Sequence, residues 1–196
     1  MPRLSDHAER RDHILAALLR IAGTRGLHAA TMRTVAAEAG ITVSTLQYYF
    51  HSKEELLFAG LQHLAERLSR RATAVTADSV RDAIRAWLIQ LIPVDEEQRA
   101  SYRVFAAYAA LAFTDNALAR QPYTRNTAAL EDAISGRIAA AQRTGEVGAD
   151  RKPQAEAATL LALATGLGDS VTAGMRPADD ALTLLDYALD RLFTGA

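Results

Sequence analysis

The chain has 196 residues, 49% hydrophobic and 23% charged, which is the composition of an ordinary globular protein large enough to bury a full core and excludes a disordered one. With no cysteine it cannot form a disulfide framework, a Cys-based zinc site, an iron–sulfur cluster or a thiol nucleophile. Its net charge of -1 hides an asymmetry: residues 1–75 carry ten Lys/Arg against seven Asp/Glu, and the remainder carries twelve against sixteen. A basic front joined to an acidic back suits a module for a polyanion attached to one for something else. No run of eighteen apolar residues occurs, and Met1-Pro-Arg-Leu-Ser-Asp6 lacks the apolar core of a secretory signal. The expectation is a cytoplasmic protein without a membrane partner.

Helix formers dominate and period-two β-branched runs are missing, so the chain reads as all-α with about nine helices. A first helix is predicted over 5–24, where Ile14, Leu15, Leu18, Leu19 and Ala22 recur at three- and four-residue steps before Gly26. A second fits 31–39, with Thr31 as its cap and Gly40 closing it, and a third fits 42–49, capped by Thr42. Ser52-Lys-Glu-Glu55 has the capping-box pattern and opens a long fourth helix over 52–76. Further helices are expected at 79–92 (ended by Pro93), 96–113, 116–144 (interrupted early by Pro122), 153–175 and 178–193.

Two short helices joined by Ala39-Gly40-Ile41 have the length and turn chemistry of a helix-turn-helix. On a helical wheel Val43, Ser44, Gln47 and Tyr48 share one arc, while Leu46 and Phe50 lie on the other side, where Val35 and Ala36 can receive them. Gln47 can pair bidentately with adenine, Ser44 can reach either kind of base edge, Val43 can touch a thymine methyl and the Tyr48 ring a methyl or a sugar. Arg33, Tyr49 and Lys53 offer phosphate contacts, and Thr31, Thr42 and Ser52 place helix N-termini where backbone N–H groups can meet phosphate oxygens. Arg10, Arg11 and His51 could also reach the backbone of a duplex, or simply face water.

The run from Thr31 to Leu57, Thr-Met-Arg-Thr-Val-Ala-Ala-Glu-Ala-Gly-Ile-Thr-Val-Ser-Thr-Leu-Gln-Tyr-Tyr-Phe-His-Ser-Lys-Glu-Glu-Leu-Leu, closely resembles the N-terminal signature of TetR-type transcriptional regulators, over about residues 10–60. Ser44 stands where that family most often has glycine, and Gln47 where it often has tyrosine, so an operator sequence cannot be borrowed from a relative. The resemblance implies a helix-turn-helix DNA-binding domain over 1–52 and a ligand-binding and dimerisation domain over 53–196. It further implies a homodimer joined through the last two helices of each subunit, a double-stranded DNA operator as partner and a small-molecule effector.

For the interface the sequence offers the stripe Leu160, Leu163, Ala164, Leu167 and Val171, and a second with Leu182, Leu185, Ala188, Leu189 and Leu192. The alternative for both is intramolecular core. The C-terminal half is more faintly similar to the TetR subgroup whose best-known members sense choline-like compounds, although no cation cage can be placed in it. A ligand pocket is expected from Trp87, Tyr102, Phe105, Tyr108 and Phe113, with Gln90, Arg103, Asn126 and Asp169 as polar candidates, the alternative again being core. No cofactor, metal site or catalytic constellation is expected: nucleotide loops and hydrolase motifs are missing, and the five histidines are scattered. The function read from the sequence is a ligand-responsive regulator, most often a repressor; the competing reading is a helical small-molecule-binding protein without a DNA switch.

Overall fold

The computed structural model describes residues 4–74, 77–114 and 122–193, and these contain nine α-helices. They are α1 (Leu4–Arg25), α2 (Met32–Glu38), α3 (Val43–Tyr49), α4 (Lys53–Thr73), α5 (Val80–Leu88), α6 (Glu96–Thr114), α7 (Pro122–Thr144), α8 (Pro153–Thr172) and α9 (Ala178–Phe193). Single 3-10 turns follow α1 at Leu27–Ala29 and α5 at Ile89–Leu91. None of the described helices is long and apolar enough to cross a membrane.

Most expected boundaries hold, and the exceptions have local causes. Pro122 is the first residue of α7, a position whose N–H has no helical partner to lose. The expected residues 116–121 lie outside the described part. α8 stops at Thr172, three residues early, because Gly174 takes a φ of 71° and Met175 N–H turns back to the carbonyl of Ser170 at 2.9 Å.

The chain divides into two compact units, residues 1–67 with 103–124, and residues 68–102 with 125–196. In the first, Ile14, Leu18, Val35, Leu46, Phe50 and Leu56 are buried, and so is Tyr108, whose hydroxyl donates to the carbonyl of Leu57 at 2.7 Å. Burial pushes that phenol above its ordinary range. Gly60 has no room for a side chain, since a Cβ there would strike Leu18 and the Tyr108 hydroxyl.

In the second unit α5, α7, α8 and α9 share a core of Ile84, Leu88, Ile134, Ile138, Leu160, Ala164, Leu185 and Leu189. Gly168 is the closest approach within it. A Cβ at that position would collide with the carbonyl of Leu91 and the ring of Tyr102, which is itself held by hydrogen bonds from its hydroxyl to the Thr165 carbonyl (2.8 Å) and Asp169 (2.9 Å). Arg85 binds the carboxylate of Asp186 through two nitrogens at 2.6 and 2.9 Å, and Arg81 reaches both Asp186 and Asp190. The Arg85 pairing holds the Asp186 carboxyl below its usual range and raises the guanidinium.

These cores include the residues of the expected dimer stripe. Leu160, Ala164, Leu167, Val171, Leu185 and Leu189 are buried by their own subunit, and Leu163 is packed against the same core. Within the subunit that face packs into one core with residues of α5, α7 and α9.

Candidate nucleic-acid interface

α2 begins with a reciprocal cap. Thr31 Oγ1 accepts from the N–H of Thr34 at 3.1 Å, while Thr34 Oγ1 accepts from the N–H of Thr31 at 2.8 Å, so a threonine plays the part usually given to glutamate. At its far end the N–H of Gly40 binds the Ala37 carbonyl, and the N–H of Ile41 reaches back to the carbonyl of Ala36 at 3.0 Å. That reversal is possible because Gly40 has a φ of 64°. The ring of His13 on α1 supplies one further partner, its Nε2 donating to the Ala39 carbonyl at 3.1 Å.

α3 then leaves the turn with Thr42 as its cap, accepting from the N–H of Thr45 at 3.1 Å. The Thr42 hydroxyl also lies 2.9 Å from both the Ser44 and the Thr45 hydroxyls. Leu46 and Phe50 are fully buried together with Val35 and Ala36, and the guanidinium of Arg11 covers the Phe50 ring 4.5 Å from its centroid. With that side fixed inward, Ser44, Gln47 and Tyr48 are exposed, Tyr48 to 71%, and Val43 is half-buried at the edge.

Around this face Thr31, Arg33 and Thr42 are exposed, and Tyr49 and Lys53 are half-buried. Arg33 and Lys53 make no ion pair among the described residues, so both cations are available to an external anion. Ser52 caps α4 by accepting from the N–H of Glu55, but Glu55 closes the box one residue earlier than the sequence pattern suggests. Its carboxylate takes the backbone N–H of His51 at 2.8 Å and stands 3.2 Å from the His51 ring. The backbone bond is the main reason the Glu55 carboxyl sits below its ordinary range.

His7, on α1, is a neighbour that the sequence did not single out. Its ring packs on Tyr49 at 4.7 Å and edge-on to Tyr48 at 6.2 Å, and the two tyrosines meet edge to face at 5.2 Å. Neither His7, His13 nor Arg11 carries a local signal for these roles, because each acts on a segment more than twenty residues away.

The predicted ligand-pocket residues are placed less simply. Tyr102 and Tyr108 are buried with their hydroxyls engaged inside the protein, and Phe105 is half-buried. Phe113 is 83% exposed, so in this subunit it is not part of the core. Trp87 is half-buried, with the guanidinium of Arg137 stacked 4.0 Å over its ring. The side-chain nitrogen of Asn126 is buried without an acceptor. Trp87, Tyr102 and Asn126 belong to one compact unit, and Phe105, Tyr108 and Phe113 to the other. Among the described residues no group of acidic, histidine or cysteine side chains is arranged to hold a metal ion.

Residues 14–59 match the family described as bacterial regulatory proteins of the tetR family, and residues 80–194 match the C-terminal region of BetI-type transcriptional repressors. The chain belongs to the TetR family. A curated relative, the HTH-type transcriptional regulator PksA of Bacillus subtilis, is 29% identical over 57% of this chain and 56% of its own length. The regulator BetI of Rhizobium meliloti is 36% identical over 38% of this chain and 36% of its own length, so the matched stretch is about half or less of each curated relative. Among solved structures, a TetR-family transcriptional regulator from Rhodococcus sp. superposes with a TM-score of 0.87 at 31% identity over 95% of this chain and 99% of that one. A regulator from Saccharomonospora viridis, solved in complex with choline, shares the fold with a TM-score of 0.80 at 24% identity, covering 93% of this chain and 96% of its own.

Proposed function

We propose that this TetR-family chain is a dimeric, ligand-responsive transcriptional regulator of the cytoplasm, a repressor released from a palindromic operator by a small molecule. In this reading residues 1–52 bind DNA, and residues 53–196 bind the effector and form the dimer. The observation that carries it is the outward face of α3: small and polar, with Ser44, Gln47 and Tyr48 exposed on a helix whose other side is locked into a core. Those groups read base edges in the major groove, with Val43 beside them. Thr31, Arg33, Thr42, Tyr49 and Lys53 hold the phosphates, and the ring of His7 steadies Tyr48 and Tyr49. Two copies related by a two-fold axis require two half-sites, hence the palindrome.

The dimer is assigned to the outer faces of α8 and α9 rather than to the stripe first expected. Ala162 and Gly166 on α8 are exposed, and α9 presents Leu184 and Tyr187, the latter 60% exposed. The effector acts by binding more tightly to the dimer arrangement whose reading heads are wrongly spaced, and it lowers operator affinity by no more than its preference between the two arrangements. Trp87, Tyr102 and Asn126 in one unit, and Phe105, Tyr108 and Phe113 in the other, remain the pocket candidates. The Arg137 guanidinium lies on the face of Trp87 that a quaternary ammonium would use, which argues against carrying over choline from the Saccharomonospora protein.

The test is a selection from randomised duplex DNA at physiological salt, comparing the wild type with an Arg33→Ala, Gln47→Ala, Tyr49→Ala protein. A palindrome recovered by the wild type and lost in the variant is the expected result. No enrichment by the wild type overturns the reading. Gln47→Ala alone should relax the preference at its own base position, and unchanged relative affinities across operator variants would remove Gln47 from the reading face.

A further inference from the structure

We infer that the bend between α8 and α9 is a binding site for a small organic anion, a carboxylate or phosphate head on a short apolar body. A cleft of about 500 Å³ opens there, lined by Arg99 of α6, Val171 and Thr172 at the end of α8, the Gly174-Met175-Arg176-Pro177 bend, and Ala178. That volume lies within the ~300–1,000 Å³ of typical small-molecule sites.

The charge of the lining has one sign. Among the described residues that line it, Arg99 and Arg176 are the only ionisable ones and none is acidic; Asp179 and Asp180 follow immediately as the first turn of α9 and face water. Arg99 has a single weak partner, Glu96 at 3.6 Å, beyond ordinary hydrogen-bond length and on the exposed side of α6. Arg176 has no hydrogen bond or ion pair among the described residues, and its Nε is buried. The hydroxyl of Thr172, one turn earlier, is buried and unpartnered as well.

Two polar atoms left unsatisfied beside one recess are unusual, since buried donors in folded proteins nearly always have partners. An oxyanion in the cleft supplies several acceptors at once, for the guanidiniums and for the Thr172 hydroxyl that line it. Val171, Met175, Pro177 and Ala178 provide an apolar wall, and Met175 is 73% exposed, so a short chain or ring would cover surface that now faces water. A simple inorganic ion would leave that wall unused.

The experiment needs only the full chain without DNA. Thermal unfolding and calorimetric titration are followed with hexanoate and hexyl phosphate, against hexan-1-ol and against sodium chloride at matched ionic strength. The expected result is a saturable rise in Tm of about 5–10 °C at a hundred times Kd, beyond that given by chloride and not produced by the alcohol. Whichever anion binds more tightly identifies the preferred head. Arg99→Gln and Arg176→Gln should each weaken binding about tenfold or more, and the pair together should abolish it. Met175→Glu, a surface change that leaves both arginines in place, should also abolish it by setting a negative charge at the cleft. No shift beyond the chloride control, an equal response to the alcohol, or retained binding in the double variant overturns the proposal.

Discussion

Gly168 and Gly136 lie on neighbouring helices of one core, and replacing each by alanine should change stability in opposite directions. In a helix interior alanine is favoured over glycine by about 1 kcal/mol, whatever the surroundings. At Gly136 nothing lies within 4 Å of the added methyl, so that gain stands. At Gly168 the methyl meets the carbonyl of Leu91, which is backbone, and comes within 2.6–2.8 Å of the Tyr102 ring. Tyr102 cannot swing aside, because its hydroxyl is held by both Thr165 and Asp169. Overpacking of this kind costs ~1–3 kcal/mol, and a backbone obstacle places it at the upper end, so the net effect is a loss of about 2 kcal/mol. For a chain of this size each kcal/mol moves Tm by roughly 2–4 °C. Gly168→Ala should therefore melt about 4–8 °C below the wild type, and Gly136→Ala about 2–4 °C above it. Urea titrations with an unchanged m-value should give the same order. A Gly168→Ala protein as stable as the wild type would refute the account of the α8 packing.

The proposed interface separates two nearby residues of α9. Leu185→Ala should destabilise the subunit by ~2–5 kcal/mol in denaturant titration, whereas Tyr187→Glu should leave the subunit folded and shift the species seen by analytical ultracentrifugation from dimer to monomer. Asp186→Asn should cost about 1 kcal/mol at neutral pH, since the pair with Arg85 is about one-third exposed. The folded Asp186 carboxyl is depressed, so this contribution is complete above the ordinary carboxylate range and lost as pH falls through the folded value. The gap between wild type and variant in urea midpoint should accordingly close in acid; a gap that stays constant with pH would assign the effect to packing. Thr31→Ala removes the acceptor for the Thr34 N–H and should lower stability by ~1 kcal/mol, read from thermal melts.

Residues 31–57 were legible because their signals are local. Caps, glycine turns and a three-to-four-residue period specify a helix-turn-helix without reference to anything distant, and the exposed face of α3 is the complement of its buried one. The stripes on α8 and α9 are ambiguous for a related reason. A period tells which face is apolar but not what covers it, and Leu160 through Val171 pack into one core with residues of α5, α7 and α9 of the same chain. Phe113 shows the same limit, since it lies on an apolar arc and is 83% exposed. The stacking of Arg137 on Trp87 joins residues fifty apart, and no pattern in either segment announces it.

The three hydroxyls at the start of α3 share too few protons to satisfy every arrangement at once. Thr42 Oγ1 has one hydrogen and two neighbouring oxygens, those of Ser44 and Thr45. If it points to Ser44, the serine keeps its own hydrogen for a base and offers a donor; if it points to Thr45, the serine must give its hydrogen to Thr42 and shows only lone pairs outward. Ser44 is therefore a letter with two values, selected by Thr45, which need touch no base itself. Replacing Thr45 by valine would remove one of the two recipients open to Thr42 and so favour the arrangement in which Ser44 offers a donor. Binding preference could then drift between related operators through a residue outside the groove, with every direct contact unchanged.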